Sequence, residues 1–427
     1  MQPKIYFIEE HGIDPTIIDP DAKQVMSRLR EAGFTAYMVG GSVRDLLTKR
    51  TPKDYDISTS ARPEQIKQIF QRNCILIGRR FRLAHIRYGH KIFEVSTFRA
   101  GDTTESDLIV HDNTWGSPEE DARRRDFTIN GLFYDTSNHT IIDYVGGWQD
   151  IQKRILRTIG DPWNRFKQDP VRMIRLLKFR ARLGFDIAPL SRRALIGCRQ
   201  EIVKSAPARI LEEFFRMLES GAAMSFFVLM SESGLLDLLF PALADLMKQE
   251  MGQTIYRYLA AADRIHSKGH LKQPLDRSVL TACLLFPILD KHLSDQKEEI
   301  LEGSHYADVM KQIAVLFREY IMSSFTHFPR RITATAAFIM TLQQRLTPPG
   351  GKRHHRPKIL RNKEFHLALT FLKIRALVNE KYLEDYTSWK EYYRQSLKQN
   401  DRKHSHSSPN HKRPAQVKRN SGHGSSH

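Results

Sequence analysis

Apolar residues in the first 160 positions follow both helical and strand spacing. A helical pattern opens at Asp19-Pro20-Asp21 and ends at Gly33, and an apolar run from Thr35 to Val39 follows it. The stretch from Arg82 to Phe98 alternates about a Gly89-His90 turn, which is typical of a β-hairpin. Further strand patterns cover Asp54–Thr59, Phe127–Asp135 and Thr140–Val145. We therefore expect a mixed head of helices and strands.

Beyond Gly160 the pattern becomes helical. Stretches such as Val171–Leu183 and Tyr306–Ile321 repeat apolar residues three and four positions apart, and a Pro-Pro-Gly-Gly linker at 348–351 precedes one more, Phe365–Val378. The predicted fold class is α+β, with an all-α body after the head. The predicted division is an irregular arm at 1–20, the head at 21–160, a helical neck at 161–250, a helical body at 251–347, a basic helical region at 348–398 and a disordered basic tail at 399–427.

The chain is strongly basic, and most of the excess lies near its C-terminus. The net charge is +19, and residues 352–427 contribute 18 Lys/Arg against 6 Asp/Glu, or +12. Such a balance favours a polyanionic partner, either nucleic acid or an anionic membrane surface, although a solubility role would produce the same composition.

Cysteine usage and hydropathy exclude other classes. Cys74, Cys198 and Cys283 are odd in number and lack metal-ligand spacing, which argues against a disulfide scaffold or a zinc site and fits the cytoplasm. The first residues, MQPKIYFIEEHG, do not resemble a secretory signal. No apolar run of about 18 residues predicts a spanning helix.

The first candidate for chemistry is a glycine turn followed by two spaced acids. Gly40-Gly41-Ser42-x-Arg44 precedes a predicted helix, whose backbone N–H groups are suited to phosphate. Asp54 and Asp56 lie two apart in a predicted strand and so share a face. Two adjacent carboxylates repel, and a cation such as Mg²⁺ satisfies them. An isolated Asp-x-Asp pair is usually solvated surface, but the nearby glycine turn favours a site for a metal-bound nucleoside triphosphate.

Two further segments add charge to this site. Glu94 is an acid in the apolar stretch 93–98, where it is either a third metal-binding carboxylate or part of an exposed strand face. Arg124 and Arg125 belong to a run of three arginines, whose side chains match phosphate oxygens. Asp126 could bind the metal or hold an arginine, and Asn130 could contact a ribose hydroxyl.

The fourth segment is a basic helix that starts at Asp169-Pro170. Asp169 is expected as N-cap and Pro170 as first helical residue, which gives Asp169 a purely structural explanation. Arg172, Arg175, Lys178 and Arg182 follow at helical spacing on one side. A basic stripe beside an apolar one suits a helix that borders a nucleotide and RNA cleft.

Together these segments resemble the class II branch of the DNA polymerase β-like nucleotidyltransferases, which holds bacterial poly(A) polymerases and CCA-adding tRNA nucleotidyltransferases. Gly40–Leu47 with Asp54-Tyr55-Asp56 resembles the family's metal-binding motif, and Arg124–Asn130 its ribose-discriminating motif. Asp169 and Arg172 are similar to its base-reading Asp-x-x-Arg motif, although Gln168 stands where CCA-adding enzymes usually have Glu. Leu76–Ile86 resembles a signature of bacterial poly(A) polymerases. The close resemblance spans roughly Asp14 to Leu243.

The resemblance implies a polymerase β-like head and template-independent addition of AMP from ATP to RNA 3′ ends, with two Mg²⁺ ions and release of pyrophosphate. It implies catalytic roles for Asp54, Asp56 and Asp126, with Glu94 as a further possible metal ligand. The nucleotide would be bound by Gly40, Gly41, Ser42, Arg44, Arg124, Arg125, Asn130, Asp169, Arg172 and Arg175. We expect a monomer. The alternatives are a CCA-adding enzyme and a catalytically silent RNA-binding relative.

Overall fold

The computed structural model describes residues 2–78, 83–100, 114–267, 274–295, 305–322, 328–348 and 359–406. The chain divides into two compact units, Met1–Ala337 and Phe338–His427. The first unit contains the α/β head and most of the helical body. Helices Ile8–His11 (α1), Pro20–Glu31 (α2), Gly41–Leu47 (α3), Pro63–Phe70 (α4), Pro118–Arg124 (α5) and Gly147–Gln152 (α6) belong to the head.

An eight-stranded mixed sheet forms the centre of the head. Its strands are Lys4–Tyr6 (β1), Ala36–Val39 (β2), Asp56–Thr59 (β3), Cys74–Ile77 (β4), Leu83–Tyr88 (β5), Lys91–Thr97 (β6), Leu132–Asp135 (β7) and Thr140–Asp143 (β8). They pair in the order β1-β8-β7-β2-β3-β6-β5-β4. Strands β3 and β6 pair in parallel, with Ile57 opposite Val95, while the other neighbouring pairs are antiparallel. Two short strands, Ile155–Leu156 (β9) and Asp186–Ile187 (β10), form a separate parallel pair.

Helices follow the head almost without interruption. They are Pro162–Gln168 (α7), Val171–Leu183 (α8), Pro189–Cys198 (α9), Pro207–Leu218 (α10), Ala223–Glu232 (α11), Leu235–Leu239 (α12), Pro241–Met247 (α13), Glu250–Ser267 (α14), Arg277–Asp295 (α15), His305–Phe317 (α16) and Arg330–Leu346 (α17). The buried aromatic residues of α10 and α11 pack together, since the Phe214 ring lies 5.7 Å from that of Phe227 and 4.8 Å from that of Phe240. None of the helices described here is both long and apolar enough to cross a bilayer.

The second unit contains the end of α17 and helices Phe365–Val378 (α18) and Leu383–His406 (α19). Buried polar groups connect these helices: Gln343 Nε2 donates to Ala368 O at 3.2 Å, and Trp389 Nε1 donates to Leu346 O at 2.9 Å. The guanidinium of Arg375 lies 4.0 Å from the Tyr382 ring centroid, so this arginine is part of the packing although its segment is basic.

The structure confirms the α+β architecture and corrects three local expectations. The arm at 1–20 is not irregular throughout, because β1 pairs with β8 at the sheet edge and Ile8–His11 is helical. The tail is not disordered from 399, because α19 continues to His406; residues 407–427 lie outside the described residues. Asp169 does not cap α8: it terminates α7, and Pro170 occupies the N-cap position without a side-chain cap.

A buried carboxylate organises the turn after β8. Asp143 accepts hydrogen bonds from the backbone N–H groups of residues 145, 146, 147 and 148 at 2.8 to 3.1 Å. The turn brings Gly147 so near the 3₁₀ turn Thr128–Asn130 that an added Cβ would lie 2.1 Å from Thr128 O. Asp143 therefore supports the segment that carries Asn130.

Replacing Asp143 with asparagine should destabilise the fold. Asparagine replaces one carboxylate oxygen with an NH2 group, which cannot accept a hydrogen bond. Hydrogen bonds to a charged group contribute about 1.5–3 kcal/mol each. We expect Asp143→Asn to lower the free energy of unfolding in urea by about 2–4 kcal/mol. The control is Asp186→Asn, whose side chain is 78% exposed; its loss should stay below about 1 kcal/mol. Equal losses in the two variants would contradict this role.

Candidate active site

Three carboxylates lie at the start of β3 and along β6. Asp56 and Glu94 each precede the paired residues Ile57 and Val95 by one position, so the parallel pairing places them side by side. Burial, together with the negative charges of Glu94 and Asp54, raises the pKa of Asp56 to about 6, against the opposing effect of Arg125 and Arg44. The surroundings of Asp56 thus disfavour its ionised form.

Asp54 lies just outside the strand. The predicted strand began at Asp54, whereas β3 begins at Asp56, and Asp54 occupies the exposed loop before it. Among the described residues, no three His, Cys, Asp or Glu side chains are arranged as a ready-made metal site. The charges of Asp54 and Glu94 thus influence Asp56, but the three side chains do not all converge on one point.

The glycine turn lies against the same acids. Gly40 directly follows β2 and has φ +68°. An added Cβ there would lie 3.2 Å from Arg125 Nη1 and 3.8 Å from Asp56 Oδ2. A side chain would therefore occupy the space between a cation and a carboxylate, which explains the glycine. Ser42 is buried, and its hydroxyl donates to Val39 O at 2.8 Å. The structure thus uses Ser42 inside the turn and does not direct its hydroxyl toward a phosphate.

Arg44 and Asn130 are joined to one another beneath the turn. The Arg44 Nη1 donates to Asn130 Oδ1 at 2.8 Å, while its Nε and Nη2 donate to Asp45 at 2.9 and 2.7 Å. Asp45 also lies 3.1 Å from Arg182 Nη2. Burial lowers the pKa of Arg44, while the Asp45 carboxylate opposes that effect. Both Arg44 and Asn130 border the cleft, but their polar atoms are already partnered within the protein.

Asp126 is paired with a cation of helix α8. Its Oδ2 lies 2.8 Å from Arg175 Nη2, and its Oδ1 accepts from Asn130 Nδ2 at 3.0 Å and from Phe127 N at 2.8 Å. Burial alone would raise the pKa of Asp126, but the Arg175 charge and these hydrogen bonds together hold it below its usual range. Asp126 is therefore a neutralised anion that anchors Arg175, unlike Asp56.

Arg125 extends the cationic side of the site toward β3. Its Nη2 donates to Asp121 Oδ2 at 2.8 Å and to Ser58 Oγ at 3.3 Å. The Ser58 hydroxyl lies 3.0 Å from that of Ser96, on the same face of the sheet as Asp56 and Glu94. Arg125 thus stands over the parallel strand pair that carries the acids.

The base-reading candidates lie where α7 meets α8. Asp169 Oδ2 accepts from Arg209 Nη2 at 3.0 Å, whereas no described residue hydrogen-bonds to its buried Oδ1. Arg172 Nε lies 4.0 Å from Asp169 Oδ2, and Gln168 Oε1 is a second buried acceptor without a hydrogen-bond partner in the described part of the chain. Unpartnered buried acceptors are rare in folded proteins and call for an explanation such as a ligand.

Two cavities lie beside the residues of the site. One, of about 510 Å³, is bordered by Gly40, Gly41, Arg44, Asp56, Arg124, Arg125, Asp126, Asn130, Asp169, Arg172 and Arg175, which unites all the predicted site residues except Ser42, Asp54 and Glu94. The second, of about 940 Å³, is bordered by Asp54, Asp56 and Glu94 together with residues from the helical body. Asp56, Lys178 and Arg182 border both cavities.

Several groups of the larger cavity were not predicted from the sequence. They are Arg50, Lys53, His85, Arg216 and His266. Arg50 and Lys53 come directly before Asp54, so a basic cluster beside the acids was an available signal. Arg216 and His266 are contributed by α10 and α14, far along the chain, and their local patterns match ordinary solvated helix faces.

A mixed sheet that presents acids on neighbouring strands beside a glycine turn, followed by a helical body, defines a nucleotidyltransferase of the polymerase β-like class. Residues 36–157 match the model of the poly A polymerase head domain, residues 184–247 that of the probable RNA and SrmB-binding site of polymerase A, and residues 308–423 that of the polymerase A arginine-rich C-terminus.

Comparisons with individual proteins point to the same family. The chain is 34% identical over 400 residues to poly(A) polymerase I of Salmonella typhi, covering 89% of this chain and 83% of the relative. The CCA-adding enzyme of Bacillus subtilis (strain 168) is 36% identical over 207 residues, covering 47% of this chain and 51% of the relative. The crystal structure of the Bacillus stearothermophilus CCA-adding enzyme with CTP superimposes with a TM-score of 0.59 and 26% identity, covering 87% and 83% of the two chains. The chain belongs to the poly(A) polymerase family.

The Asp126–Arg175 pair makes a pH-dependent contribution to stability. Because the pKa of Asp126 is lower in the folded chain than the ordinary value of 3.8, its stabilisation is complete above that value and is lost as the pH falls through the lower, folded value. At pH 7 we expect Asp126→Asn to cost about 3 kcal/mol in free energy of unfolding, the low end for a broken buried pair because Arg175 is 36% exposed.

Chemical denaturation from pH 7 to pH 3 checks this expectation. The difference between wild type and Asp126→Asn should shrink as the pH falls below about 4. A difference that is the same at both ends of the range, or no difference at pH 7, would show that the pair does not stabilise the fold.

Proposed function

We infer that this protein is a polynucleotide adenylyltransferase that adds AMP from ATP to RNA 3′ ends without a template and releases pyrophosphate. The supporting observation is the extent of the matches: those with poly(A) polymerases I span 86% to 89% of this chain, whereas those with CCA-adding enzymes span 46% to 47%. The arrangement of the two cavities about Asp56 fits this reaction, since it needs one space for a nucleotide and another for an RNA end.

We assign the 510 Å³ cavity to ATP. Arg124, Arg125 and Arg175 border it, and arginine forks match phosphate oxygens. At its far side the unpartnered Asp169 Oδ1 is an acceptor suited to the exocyclic amino group of adenine, and Arg172 supplies a donor for a ring nitrogen. The resemblance of these two residues to the base-reading motif supports the same assignment.

The carboxylates of Asp54, Asp56 and Glu94 are suited to binding divalent cations. Burial and the negative charges of Glu94 and Asp54 disfavour the ionised form of Asp56. A hard cation bound by carboxylate oxygens would offset this electrostatic cost. Asp54, Asp56 and Glu94 would hold two Mg²⁺ ions; when bound, these would activate the RNA 3′-hydroxyl and neutralise charge on the triphosphate. Asp126 is already neutralised by Arg175, so we propose that it positions that arginine and Asn130 and is not a metal ligand.

We assign the 940 Å³ cavity to the 3′ end of the RNA. Its border combines the acids with Arg50, Lys53, Arg182 and Arg216, which would neutralise backbone phosphates without reading base edges. An RNA end placed here would reach Asp56, which also borders the cavity assigned to ATP. The 3′ oxygen would then form a bond to the α-phosphorus while the bond from that phosphorus to the pyrophosphate oxygen breaks.

Two finer expectations remain proposals. A cytoplasmic location is supported by the three cysteines, each of which is buried and free. We likewise propose a monomer.

Loss of the Asp56 carboxylate should abolish the reaction. Asp56→Asn removes a negative charge where the metal-bound substrates meet, and we expect AMP incorporation into a short RNA to fall at least a hundredfold, about 2.7 kcal/mol in barrier. Asp245→Asn, on an aspartate that is 76% exposed and borders neither cavity, should retain activity. Activity of Asp56→Asn within tenfold of wild type would exclude this assignment.

The same assay separates polyadenylation from CCA addition. Wild-type protein is incubated with an unrelated RNA, and with a tRNA lacking its end, each with ATP alone or CTP alone. We expect long homopolymeric A tails on both RNAs and little incorporation of CMP. Addition that stops after a few residues and requires CTP on the tRNA would identify a CCA-adding enzyme.

Lys53 should affect RNA binding without affecting ATP. It is exposed at the larger cavity beside Asp54, so Lys53→Ala should raise the KM for RNA by about three- to tenfold, corresponding to roughly one lost phosphate contact. The KM for ATP should not change. Lys291→Ala, on an exposed lysine of α15 outside both cavities, is the matched control. A rise in the KM for ATP alone would place the RNA elsewhere.

A further inference from the structure

Strand β5 brings the stretch Leu76–Ile86 to the acidic site. Residues 79–82 of this stretch lie outside the described residues, but its two ends form β4 and β5, which pair with each other. In the antiparallel pairing of β5 with β6, His85 stands directly opposite Glu94. This stretch therefore places a histidine beside one of the three acids.

The two side chains are in contact on the open face of the sheet. His85 Nε2 lies 3.4 Å from Glu94 Oε1, and the side chains are 24% and 52% exposed. The neighbours of His85 along β5, Ala84 and Ile86, point to the other face and are fully buried. His85 is thus not a core residue, and it borders the 940 Å³ cavity together with Asp54, Asp56 and Glu94.

Glu94 differs from Asp56 in what surrounds it. Asp56 has Arg125 and Arg44 near enough to oppose the rise in its pKa. In the described part of the chain, the basic group within ion-pair distance of Glu94 is His85. A carboxylate that is half exposed on a strand can adopt several rotamers, so a contact from the facing strand restricts which oxygen points toward Asp56.

We propose that His85 is a positioning residue that orients the Glu94 carboxylate, so that Glu94 completes the divalent-cation site with Asp54 and Asp56. The imidazole N–H holds one carboxylate oxygen of Glu94 and leaves the other for the cation. This inference rests on the proposed function in its assignment of Glu94 to the cation site. It explains why a histidine at this register would accompany the acids, although it touches neither substrate.

The test measures cation binding directly. Binding of Mn²⁺ to the full chain, without nucleotide or RNA, is followed by electron paramagnetic resonance for wild type, His85→Ala, His85→Gln and His90→Ala. We expect His85→Ala to weaken Mn²⁺ binding about tenfold, as is usual when a group that orients a metal ligand is removed. His85→Gln keeps an N–H at a similar reach and should bind within about threefold of wild type. His90, exposed in the β5–β6 turn, is the control and should have no effect.

A double-mutant cycle separates orientation of Glu94 from any other role. If His85 acts through Glu94, His85→Ala should have no further effect on Mn²⁺ binding once Glu94→Gln is present. Unchanged Mn²⁺ binding in His85→Ala, or full additivity with Glu94→Gln, overturns the proposal. Thermal unfolding of each variant confirms that the fold is retained, and the glutamine variant tests the role if the alanine variant is unstable.

Activity assays distinguish failure of this inference from failure of the proposed function. His85→Ala should raise the Mg²⁺ concentration for half-maximal AMP incorporation about tenfold, with the KM for RNA unchanged. If the KM for RNA rises and the Mg²⁺ requirement does not, His85 contacts RNA and the inference is wrong. If the wild type adds no AMP at any Mg²⁺ concentration, the proposed function is wrong, while the Mn²⁺ measurements still decide the role of His85.

Discussion

Strands β3 and β6 run parallel in the middle of an otherwise antiparallel sheet, and this pairing places Asp56 beside Glu94. The arrangement is unfavourable by itself, because burial and the neighbouring negative charges raise the pKa of Asp56 to about 6. The surrounding sheet holds the two acids in place nonetheless, since Ile57 and Val95 are buried in the core on the opposite face. Hydrophobic packing on one face thus maintains electrostatic repulsion on the other. A bound cation or a protonated neighbour would reduce the repulsion between Asp56 and Glu94.

Helix α8 supplies the compensating charge, and its position depends on acids from two other parts of the chain. Arg175 pairs with Asp126 from the head, and Lys178 pairs with Glu213 from α10. Arg182 pairs with Asp45 of α3, so successive turns of α8 are fixed to different elements. The cations that border both cavities are therefore held rigidly, which lowers the reorganisation needed when a polyphosphate binds.

Local patterns in the sequence were sufficient for the elements but not for the contacts between them. The glycine turn and the β5–β6 hairpin were predictable because each follows from neighbouring residues. Whether Glu94 or Asp126 lies beside Asp56 was not, because it depends on a parallel pairing between strands almost forty residues apart. The Asp169-Pro170 pair was misinterpreted for a related reason. Its residues fit a helix start equally well, and the contact of Asp169 with Arg209 depends on the packing of α8 against α10.

On the proposed assignment of ATP to the smaller cavity and the RNA end to the larger one, the two cavities differ in what they can recognise, and this difference would account for a polymerase that selects its nucleotide without a template. The smaller cavity is bordered by Asp169, whose buried Oδ1 has no hydrogen-bond partner among the described residues, so a base with a matching donor would relieve its desolvation and a mismatched base would not. Among the described residues, the larger cavity instead combines cations with the aliphatic side chain of Ile92, which would contact any RNA backbone or base face alike. Selectivity is thus concentrated on the incoming nucleotide, and tolerance on the growing end. A chain that adds the same nucleotide repeatedly requires this division, because each product must be accepted as the next substrate.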